Sequence, residues 1–463
     1  MHPADTDLLG SCVTVTASVG RIIGRATEGV DTFLGIPYAE APVRERRFAA
    51  PVARAHFSGS FDANVYGATP QRVSLFATTT VPEPTIPGED VLTLNIFAPS
   101  VDIGGGHPVL VWVHGGGFVA GSAASPWYNG VRFAREGVVV VTLSYRLAVE
   151  GFAPLPGIPT NLGLRDVILA LKWVQANITA FGGDPKRVTL AGQSAGGGIA
   201  LALMSSPAAV GLMHRVVSIS GGIFAREREQ VLRYVDRLAS VLRVAPTRAG
   251  FADVTDVATQ RAIADLRNDE GTDPLSLSPV VGDDVLPEQI VDGLARRNLD
   301  VPLLIGSTLD EFDGGPTNEN PTSRSFSDDE RAVARASGQR MTDILFRSAV
   351  PQCAAARAGA PGGTWSYSFE WQSPLLGGAT HCTDIPYFFD VLDAPGVADS
   401  LGESTPREVA RAMHSDLLAF VCGDEPKWRQ TSGARGDISR VYGRVDSPPA
   451  TDIAAVYDPV TRG

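Results

Sequence analysis

The chain has 463 residues, 44% of them apolar and 19% charged, with 39 basic against 51 acidic residues and a formal net charge of −12. That balance is globular rather than disordered, and without a basic block it argues against nucleic acid or an anionic membrane surface as partner. Four scattered cysteines (Cys12, Cys353, Cys382, Cys422), no CxxC pair and dispersed histidines argue against a metal centre.

The N-terminal stretch MHPADTDLLGSCVTVTA has no basic start followed by an apolar run. No apolar span of about 18 residues follows anywhere. A cytoplasmic location with no membrane segment is therefore the expectation. Residues 12–36 fall into short alternating runs punctuated by Gly20, Gly24 and Gly29, which predicts a small antiparallel start. Pro37, Pro42 and Pro51 break up the next loop, and Leu92–Phe97 alternates as a strand. The nearly continuous apolar runs Val109–His114 and Gly137–Tyr145 predict central strands of a largely parallel sheet covered on both faces. Apolar residues at 164, 167, 168, 171, 174 and 178 predict a helix with one buried face. Further strands are predicted at Val188–Leu190, Arg215–Ser220 and Val301–Gly306, and a late one from Thr364. Helices are predicted over 226–242, 257–266, 287–296, 328–346 and 406–421, and a polar loop over 311–325. Strands separated by helical spans mean a doubly wound α/β sheet. No repeat or linker divides the chain, so 1–463 reads as one domain, with insertions over roughly 222–300 and 312–365.

The stretch VTLAGQSAGG, Val188–Gly197, carries the chemistry. A strand runs into Gly-x-Ser-x-Gly and a helix follows, the pattern of a nucleophile elbow with Ser194 at the turn. A serine hydroxyl at its free pKa needs a general base, and that base needs an acid to orient it. In α/β hydrolases the order is serine, acid, histidine. Of the histidines after Ser194, His214 follows too closely and His414 sits inside a predicted helix, which leaves His381 in the glycine-bearing loop GGATHCTD. The acid belongs just after the strand that starts at Val301, where Asp310 and Glu311 are both candidates and periodicity does not choose between them. His114-Gly-Gly-Gly-Phe follows a central strand, where backbone N–H groups can meet a developing oxyanion.

Longer matches surround these motifs. FLGIPYAEAPV at 33–43, EDVLTLNIF at 89–97, HGGGF at 114–118, ALKWVQANITAFGGDPKRVTLAGQSAGG at 170–197 and GATHCTDIPYFF at 378–389 together resemble the type B carboxylesterase family, which includes bacterial para-nitrobenzyl-type esterases and cholinesterases. The resemblance implies an α/β-hydrolase fold: a central, mostly parallel sheet flanked by helices. It implies Ser194 as nucleophile, Glu311 rather than Asp310 as acid, and His381 as base. Gly116, Gly117 and Ala195 match the oxyanion donors. It also implies structural ion pairs, Arg47 with Glu89 and Arg146 with Asp166. Thr69 and Val91 occupy positions where the family usually closes a disulfide, and Phe312 replaces a usual glycine. Glu150 is unusual at its position, and Cys382 reads as a small buried residue. The 70-residue spacing from Glu311 to His381 is short beside the family's pattern, so a reduced cap and an open pocket are expected. Phe118, Phe369 and Trp371 are the candidate pocket walls.

The function expected is hydrolysis of small to medium carboxylic esters through an acyl-enzyme, with no cofactor, no metal and a small-molecule ester as the partner. Monomer and homodimer are both open. Alternatives are an amide, carbamate or lactone hydrolase with the same machinery, and a catalytically silent binding relative.

Overall fold

Alternate side chains along the central strands enter two separate cores. Val109, Val111 and Val113 pack on one face of the sheet, and Leu110 and Trp112 on the other. This two-sided burial explains why the sequence there is continuously apolar. The computed structural model describes residues 10–70, 80–100, 104–267, 273, 275–312, 328–434, 437–444, 450–452 and 456–457.

Thirteen strands are described: β1 Ser11–Ala17, β2 Gly20–Thr27, β3 Val30–Pro37, β4 Ser60–Asp62, β5 Thr93–Pro99, β6 His107–Val113, β7 Val139–Leu143, β8 Gly183–Gln193, β9 Arg215–Ile219, β10 Leu303–Thr308, β11 Thr364–Phe369, β12 Ile438–Tyr442 and β13 Ala450–Asp452. They form one sheet in the order β1-β2-β3-β5-β7-β6-β8-β9-β10-β11-β12-β13, with β4 beside β2. From β7 through β12 every neighbouring pair is parallel. β1, β2, β3, β5 and β7 pair antiparallel in turn, as do β12 and β13, whereas β4 lies parallel to β2. This is the α/β-hydrolase arrangement expected, with its small antiparallel start.

The principal helices are α1 Leu162–Asn177, α2 Ala195–Ser205, α3 Arg228–Leu242, α4 Asp256–Arg267, α5 Asp328–Thr342 and α6 Arg407–Cys422. α1, α2 and α3 pack on the valine face, whereas α6 covers Trp112 on the other. Three details differ from the sequence reading. The helix predicted over 287–296 contracts to Ile290–Leu294. The helix from 328 ends at Thr342 and continues as one wide π turn, Asp343–Arg347. β12 was not foreseen, because five residues with two polar ones and an arginine carry little periodic signal. Of the predicted loop over 311–325, residues 313–325 lie outside the described residues.

The two expected ion pairs have different outcomes. Arg146 and Asp166 form a fork, Nη2 to Oδ1 at 2.7 Å and Nε to Oδ2 at 2.8 Å, with both side chains buried. Arg146 Nη1 also donates to the Ala49 carbonyl at 2.7 Å, which ties the early loop to the sheet. Arg47, however, pairs with Glu150, Nε to Oε1 at 2.7 Å, and not with Glu89, which is exposed. Its guanidinium donates besides to the carbonyls of Phe251, Ala252 and Val254. Glu150, the unusual carboxylate, takes the place expected for Glu89, from the short helix Ala148–Phe152.

A buried fork leaves an uncompensated charge when one partner is removed. Asp166→Ala is expected to lower the unfolding free energy by about 3–5 kcal/mol in urea denaturation. A loss below about 1 kcal/mol, the level of a surface pair, would remove the fork's assigned role.

Candidate active site

The elbow requires two chain segments to touch with no side chain between them. A Cβ added at Gly196 would lie 2.1 Å from the Val113 carbonyl oxygen, so α2 can start against β6 only with glycine there. Ser194 itself takes φ 57°, ψ −124°, a conformation that non-glycine residues rarely adopt. The turn is held by Ser194 N–H donating to Ile219 O (2.9 Å) and by Gly198 N–H donating to Ser194 O (2.9 Å).

The other two groups leave neighbouring strands. Glu311 follows β10 and His381 follows β11, which pair in parallel register. Beyond the strand ends, main-chain bonds continue: Leu309 N–H to Phe369 O (2.8 Å), Asp310 N–H to Ala379 O (3.0 Å) and His381 N–H to Glu311 O (2.8 Å). His381 Nε2 lies 2.8 Å from Ser194 Oγ. On its other side Nδ1 is hydrogen-bonded to Glu311 Oε2. Glu311 is 1% exposed, and its Oε1 accepts the Thr308 N–H at 2.9 Å. Asp310 points away, with Oδ2 accepting the Ala379 N–H at 2.8 Å. The structure thus brings Ser194, His381 and Glu311 into one relay and puts Asp310 in the loop beside it.

The glycine loop sits against the elbow. A Cβ at Gly115 would come within 3.0 Å of Ser194 Cβ. Gly116 has φ 115°, and a Cβ there would meet the Ala120 carbonyl oxygen at 2.1 Å. His114 anchors this loop from below. Its ring stacks on Tyr145 at 4.6 Å, Nδ1 lies 2.8 Å from Gly115 O, and Tyr145 Oη donates to His114 O at 2.9 Å. Burial drives the His114 pKa down to about 4, so the ring stays neutral and acts as a structural part. Among the described residues no backbone or side-chain acceptor takes the N–H of Gly116, Gly117 or Ala195.

The chain's similarity to known proteins agrees with this geometry. The Carboxylesterase family profile matches residues 11–329. This chain belongs to the carboxylesterase family. It is 34% identical to the para-nitrobenzyl esterase of Bacillus subtilis (strain 168) over 443 residues, covering 88% of each chain. It is 32% identical to the phenmedipham hydrolase of Pseudarthrobacter oxydans over 457 residues, covering 88% of this chain and 90% of the relative. A solved PNB esterase superposes with a TM-score of 0.81 at 30% identity, covering 95% of this chain and 96% of the other. The protein is accordingly an ester-hydrolase enzyme of the serine-hydrolase type.

Around the relay this carboxylesterase has features that motif reading did not supply. Phe312 stacks on the His381 ring at 5.4 Å, and Phe346, from the π turn, lies 4.8 Å from it. Phe224 links Phe346 to Phe118. Of the predicted pocket walls, Phe118 is fully buried in that aromatic row, whereas Phe369 and Trp371 pack on Tyr387. Gln193 Nε2 donates to Cys382 Sγ at 3.1 Å and lies 3.2 Å from His381 Nε2. Arg347 donates to Thr308 O at 3.0 Å, behind the turn that carries Glu311. Phe312, Phe118 and Cys382 had a sequence signal, Phe312 as a departure from the family glycine; Phe224, Phe346, Gln193 and Arg347 had none. The expected structural role of His414 agrees with its contacts: Nδ1 lies 2.9 Å from Phe388 O and Nε2 2.8 Å from Glu136 Oε2. No described helix is long and apolar enough to cross a membrane.

Opposing forces act on the His381 charge. Burial disfavours the imidazolium, but Cys382 and then Glu311 favour it, through charge and hydrogen bonds, and its pKa is raised well above the ordinary 6.5. Burial, then the Glu311 charge, pushes the nearby Asp384 up to about 7. The raised imidazole is charged below its pKa and neutral above it. Its ring proton resonances in NMR are therefore expected to titrate above pH 6.5, and Glu311→Gln to move that midpoint down. An unchanged midpoint in Glu311→Gln would show that the carboxylate does not govern the ring.

Proposed function

We propose that this protein is a serine carboxylesterase that hydrolyses small to medium carboxylic esters through an acyl-enzyme on Ser194. The observation that carries this reading is the relay itself: Ser194 Oγ at 2.8 Å from His381 Nε2, with Nδ1 held by a carboxylate that water does not reach.

In this mechanism His381 Nε2 takes the Ser194 proton as Oγ attacks the ester carbonyl carbon. Glu311 keeps the other proton on Nδ1 and stabilises the imidazolium that forms. The carbonyl oxygen becomes an oxyanion and is met by the N–H groups of Gly116, Gly117 and Ala195. Collapse expels the alcohol, which leaves with the proton from His381. Water then enters, gives a proton to His381 and releases the acid, restoring Ser194. Phe312 and Phe346 flank the imidazole. Their bulk beside the base favours short acyl or alcohol groups over long ones.

Ser194→Ala is expected to lower kcat on p-nitrophenyl acetate by about 10⁴-fold or more. His381→Ala should cost nearly as much, and Glu311→Ala about 10²–10⁴-fold. Asp310→Ala should stay within about tenfold, since its carboxylate accepts the loop N–H of Ala379. A dead Asp310→Ala beside an active Glu311→Ala would transfer the acid role to Asp310. Retained turnover in Ser194→Ala would end the serine-esterase reading. Faster hydrolysis of matched anilides than of aryl esters would transfer the enzyme to the amide-cleaving alternative.

A further inference from the structure

The segment 342–347 reaches both ends of the relay. Phe346 lies 4.8 Å from the His381 ring, and the next residue, Arg347, reaches the turn that carries Glu311. That turn, residues 308–312, is gripped at two points. Phe312 N–H donates to Thr342 Oγ1 at 3.0 Å, and Arg347 Nη1 donates to Thr308 O at 3.0 Å. Thr308 in turn gives its own N–H to Glu311 Oε1 at 2.9 Å.

Arg347 is fully buried, and a buried guanidinium persists only where acceptors meet it. Besides Thr308 O, it donates through Nη2 to the carbonyl of Val456, 109 positions away. The neighbour of Val456, Tyr457, covers the cation: Arg347 Cζ lies 4.6 Å from the centroid of its ring, within cation–π range. Tyr457 is buried as well, and its Oη donates to Tyr367 O on β11. Burial pushes this phenol up to about 12, so it keeps the proton that makes the bond. A distant piece of chain is thereby fastened to β11 and laid over the one arginine that holds Thr308 O.

We propose that Arg347 is a positioning residue for Glu311 and that the ring of Tyr457 locks it there, an inference that rests on the reading of Glu311 as the acid of the relay. The guanidinium fixes Thr308, the Thr308 N–H fixes one oxygen of Glu311, and the other oxygen then faces His381 Nδ1. Arg347 acts through the backbone of the acid's turn and not on the ester. Its charge and its positioning pull the base in opposite directions. Removing a cation, by charge alone, favours the imidazolium and raises the His381 pKa. Letting the carboxylate turn away lowers it, so the sign of the change tells one role from the other.

The test compares the full-length enzyme with Arg347→Met, Tyr457→Leu and Tyr457→Phe. Arg347→Met and Tyr457→Leu are expected to lower kcat on p-nitrophenyl acetate about tenfold, with KM within about twofold of wild type. Both should move the NMR midpoint of the His381 ring down, toward that of Glu311→Gln. Tyr457→Phe keeps a ring on the guanidinium and should recover at least about half of the wild-type kcat. Asp166→Ala, which loses stability at the Arg146 fork, should leave the midpoint in place. If Arg347→Met does not fold, Tyr457→Leu decides, because it leaves the cation where it is. A kcat untouched in Tyr457→Leu, a midpoint there that stays or rises, or an equal fall in Asp166→Ala overturns the proposal. Tyr457→Phe no better than Tyr457→Leu overturns the lock assigned to the ring. A midpoint moved by Glu311→Gln but not by Tyr457→Leu sinks the proposal alone, whereas one unmoved even by Glu311→Gln is the failure of the acid reading, and the proposal falls with it.

Discussion

A carboxylate that water does not reach governs the architecture around the site. Glu311 can remain charged in that position only if its oxygens are met by donors. One oxygen is met by the Thr308 N–H, the other by His381 Nδ1. These two needs fix the turn after β10 and the loop after β11 relative to one another. The main-chain bonds between Asp310 and Ala379, and between His381 and Glu311, continue the same alignment past the strand ends. Arg347 holds the carbonyl of Thr308 from behind. The imidazole is thus oriented by a short chain of dependencies that starts from one buried charge and ends at the serine hydroxyl.

The site also separates groups that hold charge from groups that do not. His114 lies next to the glycine loop and is kept neutral by burial, with a pKa of about 4. Had it been an imidazolium, it would have put a fixed positive charge under the elbow. His381 differs because Cys382 and then Glu311 favour its charged form against burial. Two histidines in one cleft therefore serve opposite ends, one as a rigid spacer and one as a proton carrier. Partners and burial together set them apart: His114 is fully buried, whereas the His381 side chain is 18% exposed and faces Cys382 and Glu311.

Much of this was legible from sequence where local sterics dictate it. The elbow was legible because Gly196 must admit β6, and the order of serine, acid and histidine follows from where three parallel strands end. The choice of Glu311 over Asp310 was not legible from periodicity, since adjacent residues in a turn point in directions that only the turn decides. Family likeness proposed Glu311, and the two carboxylates do point to different partners. Arg47 illustrates the opposite case. Its partner, Glu150, comes from 103 positions away, on the short helix Ala148–Phe152, and no local pattern places that helix against Arg47. Phe346 was hidden for a third reason: a π turn shifts the helical phase, so a residue that would face elsewhere in a regular helix lands on His381.

One consequence follows from the backbone of Ser194. At φ 57° and ψ −124° a side chain is tolerated against its preference, and a conformation of this sort costs about 1–3 kcal/mol. Glycine would hold the same angles with no such cost. The residue best for resisting heat and the residue best for turnover are therefore different at position 194. Mutational drift scored on melting temperature alone would move toward glycine there, and a lineage that keeps serine does so because something other than folding is being selected.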